Sequence, residues 1–281
     1  MPELPEVETI KLGLQKKIIG LKITKIQILS AKSFIGNPNL VQGQKVLNIW
    51  RRAKILGIDL GNITLLFHLK MSGQIIYQDE KRFIGGHPTQ DMVGQMPNSH
   101  TRVIFSFSDG SHLYFNDQRR FGWVKVIKGD QGNLGNLGPE PLEKSFTWEI
   151  LKENLLRHKS MPVKVAIMDQ TVVSGIGNIY ANEACFLAGI DPRVKVVTLT
   201  DEQFQTLHNG VIKALREGIR HGGSTRAHFV DAEGHKGYFL DYAFVYGRDK
   251  HPCKKCGTEI KKIQLGGRGT YFCPKCQKVV E

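Results

Sequence analysis

Val7, Ile10, Leu14 and Ile18 recur at intervals of three and four ahead of Gly20, which predicts a helix opening right after Pro5. From Lys22 to Lys128 the pattern shortens to runs of Ile, Val, Leu and Phe. These are Ile23 to Leu29, Lys45 to Trp50, Lys54 to Leu60, Ile63 to Leu69, Arg102 to Phe107, His112 to Phe115 and Trp123 to Ile127. Turn pairs such as Gly61-Asn62 and Asp109-Gly110 separate them. About seven or eight short strands with no helix between them predict a mainly antiparallel sandwich or barrel. Phe83 to Ser99, with its Gly, Pro, Asn and Gln, reads as a long loop. Periodicity is lost at Gly129 to Pro141, a Gly- and Asn-rich stretch that reads as a domain boundary. Beyond it the pattern is helical. Trp148, Leu151 and Leu155 predict one helix, Asn178 to Leu187 another, and Phe204, Leu207, Val211, Leu215 and Ile219 a third over Asp201 to Ile219. Thr200 and Gln203 form a capping box ahead of the third. Gly222 to Gly237 reads as a loop, and a cysteine-bearing module closes the chain. The expected fold is α+β and multidomain: residues 1–132 a β-sandwich with a leading helix, 133–240 a helical domain and 241–281 a small metal-bearing ribbon.

Charge narrows the choice of partner. The chain of 281 residues carries 39 Lys and Arg against 26 Asp and Glu, a formal charge of +13. Apolar residues at 41% and charged residues at 23% exclude a disordered or fibrous chain. Ile63 to Phe67 is far short of the roughly 20 apolar residues a spanning helix needs, and the acidic start resembles no signal peptide. No membrane role and a cytosolic location are expected. The positive surplus points to a polyanion, nucleic acid first, although solubility alone also accounts for a basic chain.

Four of the five cysteines form Cys253-x2-Cys256 and, sixteen residues on, Cys273-x2-Cys276. In a reducing compartment that spacing predicts one structural Zn²⁺ per chain rather than two disulfides or a redox pair. Cys185, alone on an apolar helix face, reads as a core residue. Residues 250–281 hold eight Lys or Arg against two Glu, which suits a phosphate backbone. Arg268, between Gly267 and Gly269, reads either as a solvated turn or as an outward-reaching hairpin tip. At the other end, removal of Met1 would expose Pro2 as a secondary amine. Such an amine is partly neutral near pH 7 and condenses with an aldehyde carbon to a cationic iminium. Glu3 and Glu6 beside it could move protons. The residues alone favour Pro-Glu simply starting a helix, where Pro and acidic residues suit the first turn.

PELPEVE at 2–8, RRAK at 51–54, DQRRFG at 117–122, GIGNIYANEA at 175–184 and the terminal cysteine module together resemble the bacterial formamidopyrimidine-DNA glycosylase family, from end to end of the chain. The endonuclease VIII-like sister family of oxidised-pyrimidine enzymes typically begins PEGPE, so Leu4 favours the purine-directed branch. The resemblance implies a β-sandwich, a helix-two-turn-helix domain and a zinc ribbon. It implies Pro2 as nucleophile at C1′ of the damaged nucleotide, Glu3 as proton donor and acceptor, and Lys54 as the lysine on the β-domain side of the site. It implies His68, Asn178 and Arg268 as phosphate clamps; Lys70, at a position where the family varies, is a candidate further contact outside that pattern. Met71, Arg119 and Phe121 match the triad that fills the gap left by an extruded base. Lys164 matches a lysine near that base, and Ser224, Thr225 and Arg226 a loop that covers it. Cys253, Cys256, Cys273 and Cys276 would hold the metal.

Two further readings stand beside it: an oxidised-pyrimidine glycosylase, and a noncatalytic zinc-ribbon DNA-binding protein. Pro2-Glu3 separates the latter, since a pure binder needs no amine nucleophile. The expected partner is double-stranded DNA holding an oxidised purine or an abasic site, bound by a monomer.

Overall fold

Helix α1 spans Leu4–Ile18 in the computed structural model, which describes residues 1–79, 82–86, 94–129, 134–224 and 238–278. Pro5 lies in the first turn, where a missing N–H costs nothing, and the Glu6 carboxylate accepts the Glu3 N–H at 2.7 Å. Val7, Ile10, Leu14 and Ile18 are buried, as their spacing predicts.

Ten strands follow: β1 (Ile23–Ile28), β2 (Phe34–Ile35), β3 (Asn48–Arg52), β4 (Ile55–Asp59), β5 (Ile63–His68), β6 (Gly73–Gln78), β7 (Arg82–Gly86), β8 (Thr101–Phe107), β9 (His112–Asp117) and β10 (Trp123–Lys128). They form two five-stranded sheets, ordered β1-β8-β9-β6-β7 and β2-β10-β5-β4-β3. β2 runs parallel to β10, and the other pairings are antiparallel. One core lies between the sheets. The Phe67 ring of one sheet sits 5.8 Å from Phe105 and 6.2 Å from Phe115 of the other. α1 lies against β3, β4 and β7 and adds its apolar stripe to that core.

Three strands were not legible in advance, and β2, with two residues, is too short to carry a pattern. Phe83 to Ser99, expected as a loop, begins inside β7, among the described residues an edge strand paired with β6. Gly85 and Gly86 hid it. β6 escaped because, with Gly73 and Gln74 ahead of it and Gln78 behind, its apolar run is only Ile75 to Tyr77.

Contacts divide the chain into two units, Met1–Leu134 with His221–Tyr238, and Gly135–Arg220 with Phe239–Glu281. The second contains α2 (Trp148–Leu156), α3 (Val163–Ala166), α4 (Asn178–Ala188), α5 (Asp201–Arg220), α6 (Phe239–Tyr242) and a hairpin of β11 (Lys261–Leu265) and β12 (Arg268–Phe272). α4 and α5 pack closely because a Cβ at Gly210 would fall 2.6 Å from the Ala184 carbonyl oxygen. The Thr200 box caps α5: Gln203 N–H donates to Thr200 Oγ1 at 3.3 Å, and Thr200 N–H to Gln203 Oε1 at 2.9 Å. Buried Glu183 on α4 accepts the N–H groups of Phe244, Val245 and Tyr246 at 2.8–3.0 Å, fixing the chain that leads to the hairpin. Among the described residues no helix is long and apolar enough to cross a membrane.

Candidate nucleic-acid interface and catalytic site

The register of the sandwich gathers three of the sequence motifs at one end. His68, last residue of β5, stands opposite Ile55 of β4 and Trp123 of β10. Gly73 of β6 stands opposite Asp117 of β9. The β5–β6 connection (69–72) and the β9–β10 connection (118–122) therefore both cross between the sheets at this end. The β3–β4 turn at Ala53-Lys54 lies beside them. α1 starts at the same end. Glu8 pairs with Arg51 at 2.8 Å, and Arg51 Nη1 donates to the Ala53 carbonyl at 3.2 Å, whereas Lys17 reaches Asp79 at the far end of β6. Pro2 and Glu3 are thus buried at the end that carries the motif turns.

These turns hold unusual backbone. Four described non-glycine residues have positive φ, and three of them, Ala53 (53°), Lys70 (50°) and Arg120 (58°), sit in the three turns. Each such residue costs on the order of 1 kcal/mol or more and persists only where its surroundings over-determine it. Gly122 must be glycine, because a Cβ would meet Phe115 Cζ at 2.8 Å and the His68 carbonyl oxygen at 3.0 Å.

Lys54 is 7% exposed, at the mouth of the β3–β4 turn. His68 leans on the Trp123 ring, with centroids 5.6 Å apart, and its Nδ1 accepts the Lys70 N–H at 3.0 Å. That bond leaves the proton of a neutral imidazole on Nε2. Burial, helped by the charges of Lys70 and Lys54, pushes the His68 pKa down to about 3. His68 is therefore a neutral N–H donor. Met71 is half-buried, and Arg119 and Phe121 are exposed, Phe121 by 56%. Neither Met71 nor Phe121 belongs to the core that its residue type suggests. The Arg119 guanidinium lies over the Phe121 ring at 4.9 Å.

Ser224 belongs to the same unit, and its N–H donates to Glu6 Oε1 at 2.8 Å. Glu6 thereby ties the start of α1 to this segment, a coupling that no local pattern announces. Thr225 and Arg226 lie outside the described residues.

The second unit assembles its own group. Gly175-Ile176-Gly177 leads into α4, and Asn178 in its first turn accepts from Lys164 Nζ at 2.5 Å and donates to the Gly269 carbonyl at 3.1 Å. One turn on, Asn182 Oδ1 accepts the Tyr271 N–H at 2.7 Å. Two asparagines on one helix face thus pair with the edge of β12, and Arg268, exposed at the hairpin tip, is held next to Asn178 and the fully buried Lys164. The tip closes through Gly266 and Gly267, whose φ values of 56° and 72° suit a two-residue hairpin turn. Sequence reasoning missed Asn182, although its spacing of four from Asn178 carries the signal.

The four sulfurs of Cys253, Cys256, Cys273 and Cys276 all lie within 4.8 Å of one another. Cys256 and Cys273 are 3.4 Å apart, and Cys253 and Cys276 3.9 Å. A regular tetrahedron with Zn–S bonds of ~2.3 Å requires about 3.8 Å between sulfurs. Backbone N–H groups of Lys255 and Cys276 point at Cys253 and Cys273 sulfur at 3.4 Å, as thiolates require. The cluster fits a closed four-sulfur metal site. Cys185 is fully buried, and burial pushes its thiol up to about 12.

Family models agree with this layout: the formamidopyrimidine-DNA glycosylase N-terminal domain matches residues 1–124, the H2TH domain of the same enzymes 137–229, and a zinc finger found in FPG and IleRS 250–279. A formamidopyrimidine-DNA glycosylase of Pelotomaculum thermopropionicum is 40% identical, over 99% of this chain and 100% of its own. The chain belongs to the formamidopyrimidine-DNA glycosylase family. Among solved members, a mutant of the Lactococcus lactis FPG in complex with Fapy-dG-containing DNA superposes with a TM-score of 0.86 at 31% identity, covering 99% of this chain and 100% of that one. MutM in complex with carbocyclic 8-oxo-G-containing DNA gives 0.84 at 32% identity, with the same coverage. The family's β-sandwich, helix-two-turn-helix domain and terminal cysteine cluster are those described above.

Proposed function

We propose that this chain is a base-excision DNA repair enzyme that removes oxidised purines from duplex DNA and then nicks the abasic strand. The observation that carries the reading is the buried Pro2-Glu3 start, held at the same end of the sandwich as Lys54, His68, Met71, Arg119 and Phe121. The Fapy-dG and 8-oxo-G in the complexes of its relatives support an oxidised purine as substrate. No such N-terminus is needed by a noncatalytic binder.

After removal of Met1, the Pro2 nitrogen attacks C1′, and the glycosidic bond breaks with its electron pair leaving on the base. Glu3 moves the accompanying protons. The nitrogen gives up its proton and its lone pair opens the sugar ring, breaking C1′–O4′ as O4′ takes a proton; the resulting iminium draws electrons from C2′, so loss of a 2′ proton expels the 3′ phosphate (β-elimination). A further proton loss then expels the 5′ phosphate (δ-elimination). Lys54, His68, Asn178 and Arg268 hold phosphates, His68 as a neutral donor and the cations by charge. Met71, Arg119 and Phe121 occupy the gap in the stack, while Lys164 and the segment Ser224, Thr225 and Arg226 serve the extruded base. Cys253, Cys256, Cys273 and Cys276 would hold one Zn²⁺. With four sulfur ligands it has no open position for water, so its work is structural. A monomer in the bacterial cytosol is the form this reading requires.

Borohydride reduction in the presence of a duplex carrying one 8-oxoguanine opposite cytosine tests the assignment. The expected result is a covalent complex mapped to residue 2. A crosslink mapped to Lys54 or Lys164, with Pro2→Gly fully active, overturns it.

A further inference from the structure

One buried carboxylate joins the two loops that carry the gap-filling side chains. Asp117 is 0% exposed. The Ser72 hydroxyl, from the β5–β6 connection, donates to Asp117 Oδ1 in a short hydrogen bond. Arg119 N–H donates to Asp117 Oδ1 at 3.2 Å and to Ser72 Oγ at 3.0 Å, while Gly122 N–H donates to Asp117 Oδ2 at 2.6 Å. Behind the carboxylate, Arg102 Nε donates to the Asp117 carbonyl at 2.8 Å and Arg102 Nη1 to the Ser99 carbonyl at 3.0 Å.

The bonds from Arg119 and Gly122 straddle Arg120, so the carboxylate closes a ring over a left-handed residue. Ser72 likewise follows left-handed Lys70 by two positions. Both connections contain left-handed backbone, and both are anchored on the same carboxylate, the first through Oδ1 and the second through Oδ1 and Oδ2. Met71 precedes Ser72, and Arg119 and Phe121 lie within the closed ring. A shared anchor therefore sets the separation of the apolar wedge from the guanidinium and the aromatic ring.

We propose that Asp117 and Ser72 are positioning residues that lock Met71, Arg119 and Phe121 into one rigid wedge, and so set how effectively the enzyme opens a duplex. The inference rests on the wedge role given to those three side chains under the proposed function. Asp117 and Ser72 touch no reacting atom. Their contribution belongs to duplex opening and not to bond breaking.

The test uses the full-length protein and its Ser72→Ala, Ser72→Thr and Asp117→Asn variants. Excision is measured on a lesion in duplex and on the same lesion in a single strand. Unstacking is read independently from the fluorescence of 2-aminopurine next to a tetrahydrofuran abasic analogue in duplex DNA. Loss of a hydrogen bond to a charged group corresponds to about tenfold or more. Ser72→Ala and Asp117→Asn are expected to lower duplex excision by about that factor, with single-strand excision held within about twofold. The fluorescence rise should shrink with duplex excision, and Ser72→Thr should retain both. Equal losses on both substrates, or unchanged duplex excision by folded Ser72→Ala, overturn the proposal. If Asp117→Asn does not fold, Ser72→Ala decides. If the wild type excises nothing yet its fluorescence response is lost in Ser72→Ala, the proposed activity fails and the clamp stands.

Discussion

His68 shows how a side chain's protonation state follows from two contacts. Its Nδ1 is engaged by the Lys70 N–H, and burial beside two lysines depresses its pKa to about 3 from 6.5. The unfolded chain takes up a proton as pH falls through 6.5, and the folded chain does not do so until about 3. The contribution of this residue to stability is therefore complete above pH 6.5 and lost progressively below it. Nitrogen-15 NMR is expected to show the Nε2–H tautomer from pH 8 down to 5; a titration near 6.5 would refute that. A neutral donor also releases no counterion. His68→Ala should weaken binding to DNA without changing its salt dependence, whereas Arg268→Ala should lower the slope of log affinity against log salt by about 0.9. Binding titrations between 50 and 200 mM salt distinguish the two. Motif matching marked His68 and Arg268 as phosphate contacts, but not this difference between them, because the difference arises from Trp123, Lys70 and Lys54 brought together by sheet register. Ser72, Asp117 and Asn182 were illegible for the same reason. Each acts through a partner distant in sequence, Ser72 with Asp117 and Asn182 with Tyr271, and only Asn182 has a local signal, its spacing of four from Asn178.

At the level of elements, α1, the strands paired within the core and the helices α2, α4 and α5 follow the hydrophobic pattern closely, because burial on one face selects it. β7 did not, since an edge strand with glycines needs only backbone pairing on one side, and β6, paired on both sides, carries too short an apolar run to show a period. The β11–β12 hairpin is held from two directions: the cysteine cluster at its base and Asn178 and Asn182 along β12. Removing metal, by Cys273→Ser or a strong chelator, is expected to unfold this module while the β-sandwich keeps its own melting transition. Asn182→Ala should retain the metal but free the Tyr271 amide, costing about 1–3 kcal/mol locally. Hydrogen exchange at Tyr271 measures this, and protection equal to that of the wild type would show that the asparagine pair does not hold the ribbon.

Across the whole molecule, the charge of +13 anticipated a polyanionic partner, and each unit carries its own group of phosphate-suited side chains, Lys54 and His68 in the first and Asn178 and Arg268 in the second. Neither unit is continuous in sequence, because His221–Tyr238 returns to the first. A linear reading of composition cannot show such a return. A fragment ending at residue 134 would lose the Ser224 N–H from Glu6. It is expected to melt below the first transition of the intact chain in calorimetry, and an equal midpoint would show the segment to be dispensable. The sandwich itself has two unlike ends. The β4–β5 and β8–β9 hairpins turn back within one sheet at the far end, through Gly61-Asn62 and Asp109-Gly110, whereas the β5–β6 and β9–β10 connections between sheets lie at the motif end. The far end can therefore accept inserted sequence, such as a fluorophore tag or a fused domain, at the cost of one hairpin turn. At the motif end a single added residue in either crossing would shift one ladder against the other, which makes loop length there as stringent a requirement as the identity of any side chain.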